Sequence, residues 1–471
     1  MKYLIIGRKG LDWMKSFFDE KPARTCLILF GLSFLFYLKS VGFDFLPSWD
    51  DGEYVLDNPR VHGITFENLR LIFTTAYFSN YAPLHLLGYA IDFSIWGLSP
   101  AGFHLTNVVF HAANSALVFL LVRKMTADGF VSVVAALLFA LHPLNVENAA
   151  WVSERKTLMT AFFSFASILA YVSFREKGGK GLYLLSLLLF SLALLSKPLT
   201  VVLPLALAAY ELFLKKDVRV LKWTPPFFAL AAAFAFLAFR AHASSSAIEG
   251  ATLAPEVLFG VVYPTMLPVY WEYARLIVWP SGLSGFYDVK LHYSFFEPAV
   301  ITSLITWVAV FVLVLWKGNA QTRFWFIWFW AWLLPVSNII PLPVYYADRY
   351  MYMPAIGFFV LFGLLLSWLG KKAGRKTATA VAAVVIIALG ATAFFRMDVW
   401  KNEISFWEDT VKKSPGQDKA HLNLGYAYEM EGRFEEAEKE YLAALAIYQS
   451  QEAMSNLEMV RIKKAMSKGR P

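Results

Sequence analysis

Five short clusters of ionisable residues interrupt the apolar runs of this chain: Ser48-Trp49-Asp50-Asp51-Gly52-Glu53, His142-Pro143-Leu144-Asn145-Val146-Glu147, Ser153-Glu154-Arg155-Lys156, Ser196-Lys197-Pro198 and Tyr346-Ala347-Asp348-Arg349-Tyr350. A positioned carboxylate takes a proton from a hydroxyl, and an Arg fork or Lys ammonium holds a phosphate. Charge near hydrocarbon is costly, so clusters that fall at one depth point to a polar cavity with a task. The spacing argues against a metal centre. His142 and Glu147 are five apart with Pro143 between them, unlike the same-face pair of a helical zinc site, and the single cysteine, Cys26, rules out a Cys-based site or an intrachain disulfide. No cofactor is assigned, with a divalent metal left as the minor alternative.

The elements that must position these residues are membrane helices. Of the 471 residues 58% are hydrophobic and 17% aromatic, more than one soluble core of this size can hide. The net charge of +8 comes from short Lys and Arg clusters between apolar runs, a topogenic pattern rather than a nucleic-acid stripe, so nucleic acid is excluded as a partner. The segment 1–26 holds Lys2, Arg8, Lys9, Lys15, Lys21 and Arg24 and is placed in the cytoplasm. The first apolar run has no small-residue cleavage site after it and reads as an uncleaved first span, 27–46. A long acidic loop, 47–82, follows on the outer side.

Alternation of the basic loops sets the remaining path. The stretch 83–98 is short and carries Asp92, while 257–279 is broken by Pro264 and Pro268 and carries Glu272 and Arg275; both read as interfacial or re-entrant elements. Crossings are expected at 103–122, 130–141, 158–174, 182–195, 199–214, 227–239, 299–316, 324–340, 351–369 and 378–395, about eleven with the first. All five clusters, and the stretch 244–256, then lie on the non-cytoplasmic face. Tyr345, Tyr346, Tyr350 and Tyr352, with Trp49 and Trp151, fit an interfacial aromatic belt.

Beyond Arg396 the composition turns charged and helical. Leu424, Gly425, Tyr428, Gly432, Ala437, Tyr441 and Ala444 fall at the spacings of a tetratricopeptide repeat. Residues 407–415 read as part of a degenerate preceding repeat and 452–466 as a capping helix. One repeat cannot bury its own apolar face, so this module, 397–471, must lean on the membrane domain or on a partner protein. It reads either as a stabilising lid or as a platform for an acceptor.

Taken in order, the 49–59 block after the first span, His-Pro-x-x-x-Glu-x-x-x-Trp-Val-x-x-Arg-Lys at 142–156, Asp-Arg-Tyr-Met-Tyr-Met-Pro at 348–354 and the trailing repeat module resemble the TMTC-type transmembrane and tetratricopeptide-repeat proteins. These belong to the GT-C class of polyprenyl-phosphate-dependent glycosyltransferases. The chain differs from relatives with long arrays in having very few repeats. The resemblance implies an all-α polytopic membrane protein of GT-C fold, with a catalytic domain over 27–396. It also implies a catalytic aspartate in the first external loop, a sugar donor on a polyprenyl phosphate, and an external site.

Transfer of a glycosyl group from a lipid phosphate to a hydroxyl asks for one base and a cationic clamp, because the departing phosphate needs no strong general acid. Asp50 or Asp51 is the candidate base, the other orienting hydroxyls. Arg349 is the leading phosphate ligand, with Arg155, Lys156 and Lys197 beside it and Asp348 orienting Arg349. Glu53, His85, His142, Glu147, Tyr346 and Asp348 are candidates for substrate contacts; Glu154 is assigned to the sugar or to Arg155. Each has a plainer reading. The acidic pair caps a helix, the cations snorkel to the interface, and His85, His104 and His111 pack between helices.

The expected activity is transfer of a monosaccharide, mannose-like hexoses included, to an extracytoplasmic protein Ser/Thr or glycan, with inversion. A bacterial plasma membrane is the preferred location; an endoplasmic reticulum threads identically. The alternatives are a non-catalytic membrane scaffold working through its repeats, and a carrier of lipid-linked sugars. The carrier needs polar groups at the bilayer midplane, which these spans lack.

Overall fold

The computed structural model describes residues 21–78, 80–243, 254–340 and 342–468. The basic residues expected in the cytoplasm at 2, 8, 9 and 15, and most of the 244–256 stretch, lie outside the described residues. Regular structure among the described residues is helical, apart from one bridge between Tyr77 and Asn80. The chain is therefore an all-α, multi-pass membrane protein.

Each expected crossing coincides with a helix, but not all are long enough alone. Among the described residues seven helices have the length and apolar character to cross: Pro22–Gly42, Pro100–Thr126, Val152–Lys177, Pro198–Lys215, Pro298–Lys317, Ala355–Ala373 and Arg375–Trp400. An eighth arises if Gly129–Leu141 and Pro143–Ala150, bent by 53° at His142, form one broken span. Lys180–Ser196 and Pro225–Leu237 are apolar but shorter, and Ala320–Leu333 has 14 residues. The expected interfacial stretches hold the 14-residue helix Pro83–Trp96 and the helix Tyr263–Val278, which carries Pro268 inside it.

Close packing in the bundle follows from small and hydroxylated residues. A Cβ on Gly357 would stand 2.4 Å from the Trp325 carbonyl oxygen, so only glycine lets Ala355–Ala373 approach Ala320–Leu333 this closely. Ser164 with Thr200 at 2.9 Å and Ser167 with Ser186 at 3.1 Å join helices by hydrogen bonds where apolar contact gives little preference over lipid. Asp128 caps Gly129–Leu141 by accepting the N–H groups of Phe130 and Val131.

Beyond the last span the helices Glu403–Lys413, Asp418–Met430, Phe434–Ile447 and Gln451–Lys468 follow, each packed against the next. Asn402 and Ser405 form a capping box at the first of them. Gly425 lets Tyr441 lie flat against its helix, since a Cβ there would meet the ring at 2.7 Å. The module does not stand apart: Phe406, Trp407 and Trp400 share one buried hydrophobic cluster with Tyr37, Leu46 and Trp151 of the membrane domain.

Candidate active site

The first loop closes on itself around the acidic pair. A Cβ on Gly52 would lie 2.3 Å from the Pro47 carbonyl oxygen, so the turn needs glycine at this position. It also separates the duties of its two aspartates. Asp51 is buried; its Oδ2 accepts the Leu46 N–H at 3.0 Å, and its Oδ1 accepts the Ser153 N–H at 3.0 Å and the Ser153 hydroxyl. Burial pushes its carboxyl up to about 7, against the pull of the Ser153 and Leu46 hydrogen bonds. Asp50 is 28% exposed, with Oδ2 at 3.1 Å from Lys156 Nζ.

Lys156, 15% exposed, holds its ammonium 4.7 Å from the Tyr54 ring and 5.9 Å from that of Trp151. The same indole carries Arg349, whose Cζ stands 5.6 Å from it. One aromatic plate thus joins the first loop, the 142–156 block and the 346–350 loop, and the three clusters converge around the Trp151 ring.

Arg349 is 10% exposed and held by two carboxylates. Glu147 accepts its Nη1–H at 2.7 Å and its backbone N–H at 3.0 Å, and Glu154 Oε1 is 3.7 Å from Nε. Lys197, 17% exposed, sits on the other side of Glu154 at 3.6 Å and donates to Thr157 Oγ1 at 2.8 Å. Thr157 donates in turn to Glu154. Arg349 and Lys197 both line a small cavity walled by Leu199, Trp332, Tyr350 and Tyr352. Burial pushes the Lys197 ammonium down to about 8, against the pull of Glu154.

Several expected site residues lie elsewhere or are otherwise engaged. Arg155, read as a phosphate ligand, is 0% exposed; it pairs with Asp92 and donates to Asn107 Oδ1 at 2.9 Å and to the Phe103 carbonyl at 2.6 Å, with Tyr89 under its face. It closes a buried knot between Pro83–Trp96, Pro100–Thr126 and its own helix, and has no open side for a ligand. His142 is committed as well: Nε2 donates to the Ile277 carbonyl at 3.0 Å while Nδ1 accepts the Leu144 N–H. Glu147 serves Arg349, the role sequence reasoning gave to Asp348.

Asp348 instead accepts the Tyr287 hydroxyl, and burial with the neighbouring Glu147 charge pushes its carboxyl up to about 7. The Tyr346 ring lies tilted against that of Tyr287, centroids 4.0 Å apart. Glu53 is exposed, and its carbonyl accepts the Tyr77 hydroxyl. His85 is buried between Tyr54 and Tyr89, both ring nitrogens without a hydrogen-bond partner. Sequence reasoning missed Thr157 and Tyr287, neither of which sits in a conspicuous charge cluster. Among the described residues no group of three or more His, Cys, Asp or Glu side chains is arranged to hold a metal ion.

Residues 81–244 match a family model described as dolichyl-phosphate-mannose-protein mannosyltransferase. The chain is 26% identical over 457 residues to the protein O-mannosyl-transferase F38B6.6 of Caenorhabditis elegans, a match covering 91% of this chain and 63% of the relative. It is 25% identical over 460 residues to the protein O-mannosyl-transferase TMTC3 of Homo sapiens, covering 84% and 48%. To the human protein O-mannosyl-transferase TMTC4 it is 30% identical over 206 residues, covering 37% and 27%. The chain spans less than two thirds of the length of these curated relatives. These similarities agree with the resemblance carried by the motifs: the chain is an all-α, multi-pass membrane protein similar in sequence to the TMTC-type protein O-mannosyl-transferases.

Proposed function

We propose that the chain is a membrane glycosyltransferase that moves a monosaccharide, mannose or a similar hexose, from a polyprenyl phosphate to a hydroxyl of a protein Ser or Thr outside the cytoplasm. The observation that carries this reading is the partly open Asp50–Lys156 pair sharing the Trp151 plate with Arg349. Asp50 is the base. Of the two aspartates it is the one with an open face, whereas Asp51 is saturated by Leu46 and Ser153 and holds the loop. Lys156 holds the Asp50 carboxylate in place.

In the transfer, Asp50 takes the proton of the acceptor hydroxyl as its oxygen bonds to the anomeric carbon. The bond from that carbon to the phosphate oxygen breaks on the opposite side, which inverts the configuration. The lipid phosphate leaves with its negative charge, and Arg349 and Lys197 are placed to receive it. Glu147 and Glu154 hold these two cations at a fixed spacing. His85, buried beside Tyr54, is proposed to turn a ring nitrogen toward bound sugar.

The test is transfer from a polyprenyl-phosphate mannose to a Ser/Thr peptide by the purified full-length protein. Asp50→Asn should fold and lose transfer by ~100-fold or more, the loss expected when a positioned base is removed. Unchanged transfer by this variant removes the base assignment. Absence of transfer by the parent protein, together with partner binding that is lost when the chain is cut after Arg396, would favour the scaffold.

A further inference from the structure

The loop that carries Asp50 is gripped from beyond the membrane domain. All three backbone and side-chain polar groups of Ser48, two residues before Asp50, are taken by the helical module. Its N–H donates to the Glu403 carboxylate, its hydroxyl accepts the Trp407 Nε1–H at 2.8 Å, and its carbonyl accepts the Asn423 Nδ2–H at 3.4 Å. Glu403 and Trp407 lie on one helix and Asn423 on the next.

Trp49 adds an apolar grip. Its ring meets Trp407 edge-on at 5.3 Å and stacks on Trp151 at 5.9 Å. Upstream, the Asp44 N–H donates to the Lys401 carbonyl at 2.9 Å. The loop is thus pinned at Asp44, Ser48 and Trp49 by residues that follow the last span, and at Asp51 by Ser153. Asp50 lies between the two sets of anchors.

We propose that Glu403, Trp407 and Asn423 are positioning residues for the transfer, setting through Ser48 where the Asp50 carboxylate stands beside Lys156 and the Trp151 ring. The helical module is then a wall of the site, a role distinct from a lid or an acceptor platform. This inference rests on the reading of Asp50 as base. The physical reason is the narrow tolerance of proton transfer: the base must come within hydrogen-bond reach of the acceptor, and a displacement of ~1 Å is enough to lower the rate by ~100-fold.

Trp407→Phe keeps a ring in the aromatic cluster and removes one N–H; Ser48→Ala removes its acceptor; Ser48→Thr keeps the hydroxyl. In the full-length protein, each of the first two is expected to lower kcat by ~10-fold with donor KM within ~2-fold of the parent, because ground-state binding is untouched. The double variant should be no worse than Ser48→Ala alone, since that change already deletes the Trp407 bond along with the Ser48 side-chain bond to Glu403. Ser48→Thr should restore kcat, and the melting temperature should stay at the parent value. Amide exchange across 46–52 should quicken in Trp407→Phe.

Parent kcat in both single variants, independent losses that multiply in the double, or kcat that falls only in step with the folded fraction would each overturn the positioning role. Unchanged exchange across 46–52 would overturn it whatever the activity. A fully active Asp50→Asn combined with quickened exchange in Trp407→Phe would instead sink the base assignment while supporting the grip.

Discussion

Arg155 and Lys156 are neighbours at the start of one helix, yet the first is sealed into a knot with Asp92, Asn107 and the Phe103 carbonyl while the second reaches out to a partly exposed Asp50. The same opposition holds between the two aspartates of the first loop, Asp51 saturated and Asp50 open. A fully matched buried charge fixes geometry and has no capacity left for a ligand. A partly matched one that stays partly exposed keeps that capacity, at the cost of stability. Sequence proximity to a motif therefore says little about which member of a cluster does chemistry; the number of partners already satisfied says more.

The comparison breaks first at Arg155. Arg155→Met should cost ~3–5 kcal/mol, the penalty of leaving the Asp92 carboxylate buried without its partner, and greatly reduce the yield of folded protein by size-exclusion chromatography. The Arg155→Met/Asp92→Leu double variant should recover much of that loss. If Arg155→Met instead folds normally and only loses donor binding, the closed knot is not structural.

Asp51 sharpens the contrast through pH. Its unfolded carboxyl titrates near ~3.9, and the folded one is raised to about 7, so its stabilising contribution is present below the first value and is lost as pH rises through the second. The melting temperature should therefore fall between about pH 4 and pH 7 on account of this group. Asp348, also raised to about 7, acts in the same window, so Asp51→Asn should flatten part of the slope rather than all of it. A slope unchanged by Asp51→Asn would contradict the buried setting.

Lys197 gives a smaller effect. Its ammonium is lowered to about 8, so it is charged below that value and neutral above it. Donor KM should rise above pH 8, by at most ~10-fold per pH unit, and Lys197→Arg should remove the rise because guanidinium stays charged. The smallest effect belongs to the exposed pairs of the module. Arg461→Ala, which breaks a solvent-facing contact with Glu438, should leave both transfer and melting temperature where they were.

The clusters, their order and the helical spans were legible because charge and apolar length are local properties of a chain. Pairing was not. Arg155 meets Asp92 across 63 positions and His142 meets the Ile277 carbonyl across 135, distances at which periodicity says nothing. Asp92 stood out only as a charge that argued against a full crossing, and the same residue turned out to be the partner that neutralises Arg155. Glu154, read as a sugar ligand or a partner for Arg155, lies between Lys197 and Arg349, since Arg155 is already taken up by Asp92. The repeat spacing announced helices after 396 correctly, but nothing in it signalled that Glu403 and Trp407 fasten on Ser48.

That contact has a consequence for biosynthesis. Residues 403–423 leave the ribosome after every span has been made, so a nascent chain with its helices already inserted still lacks the holder of its first loop. The first loop is gripped at Ser48 only once translation has passed this point.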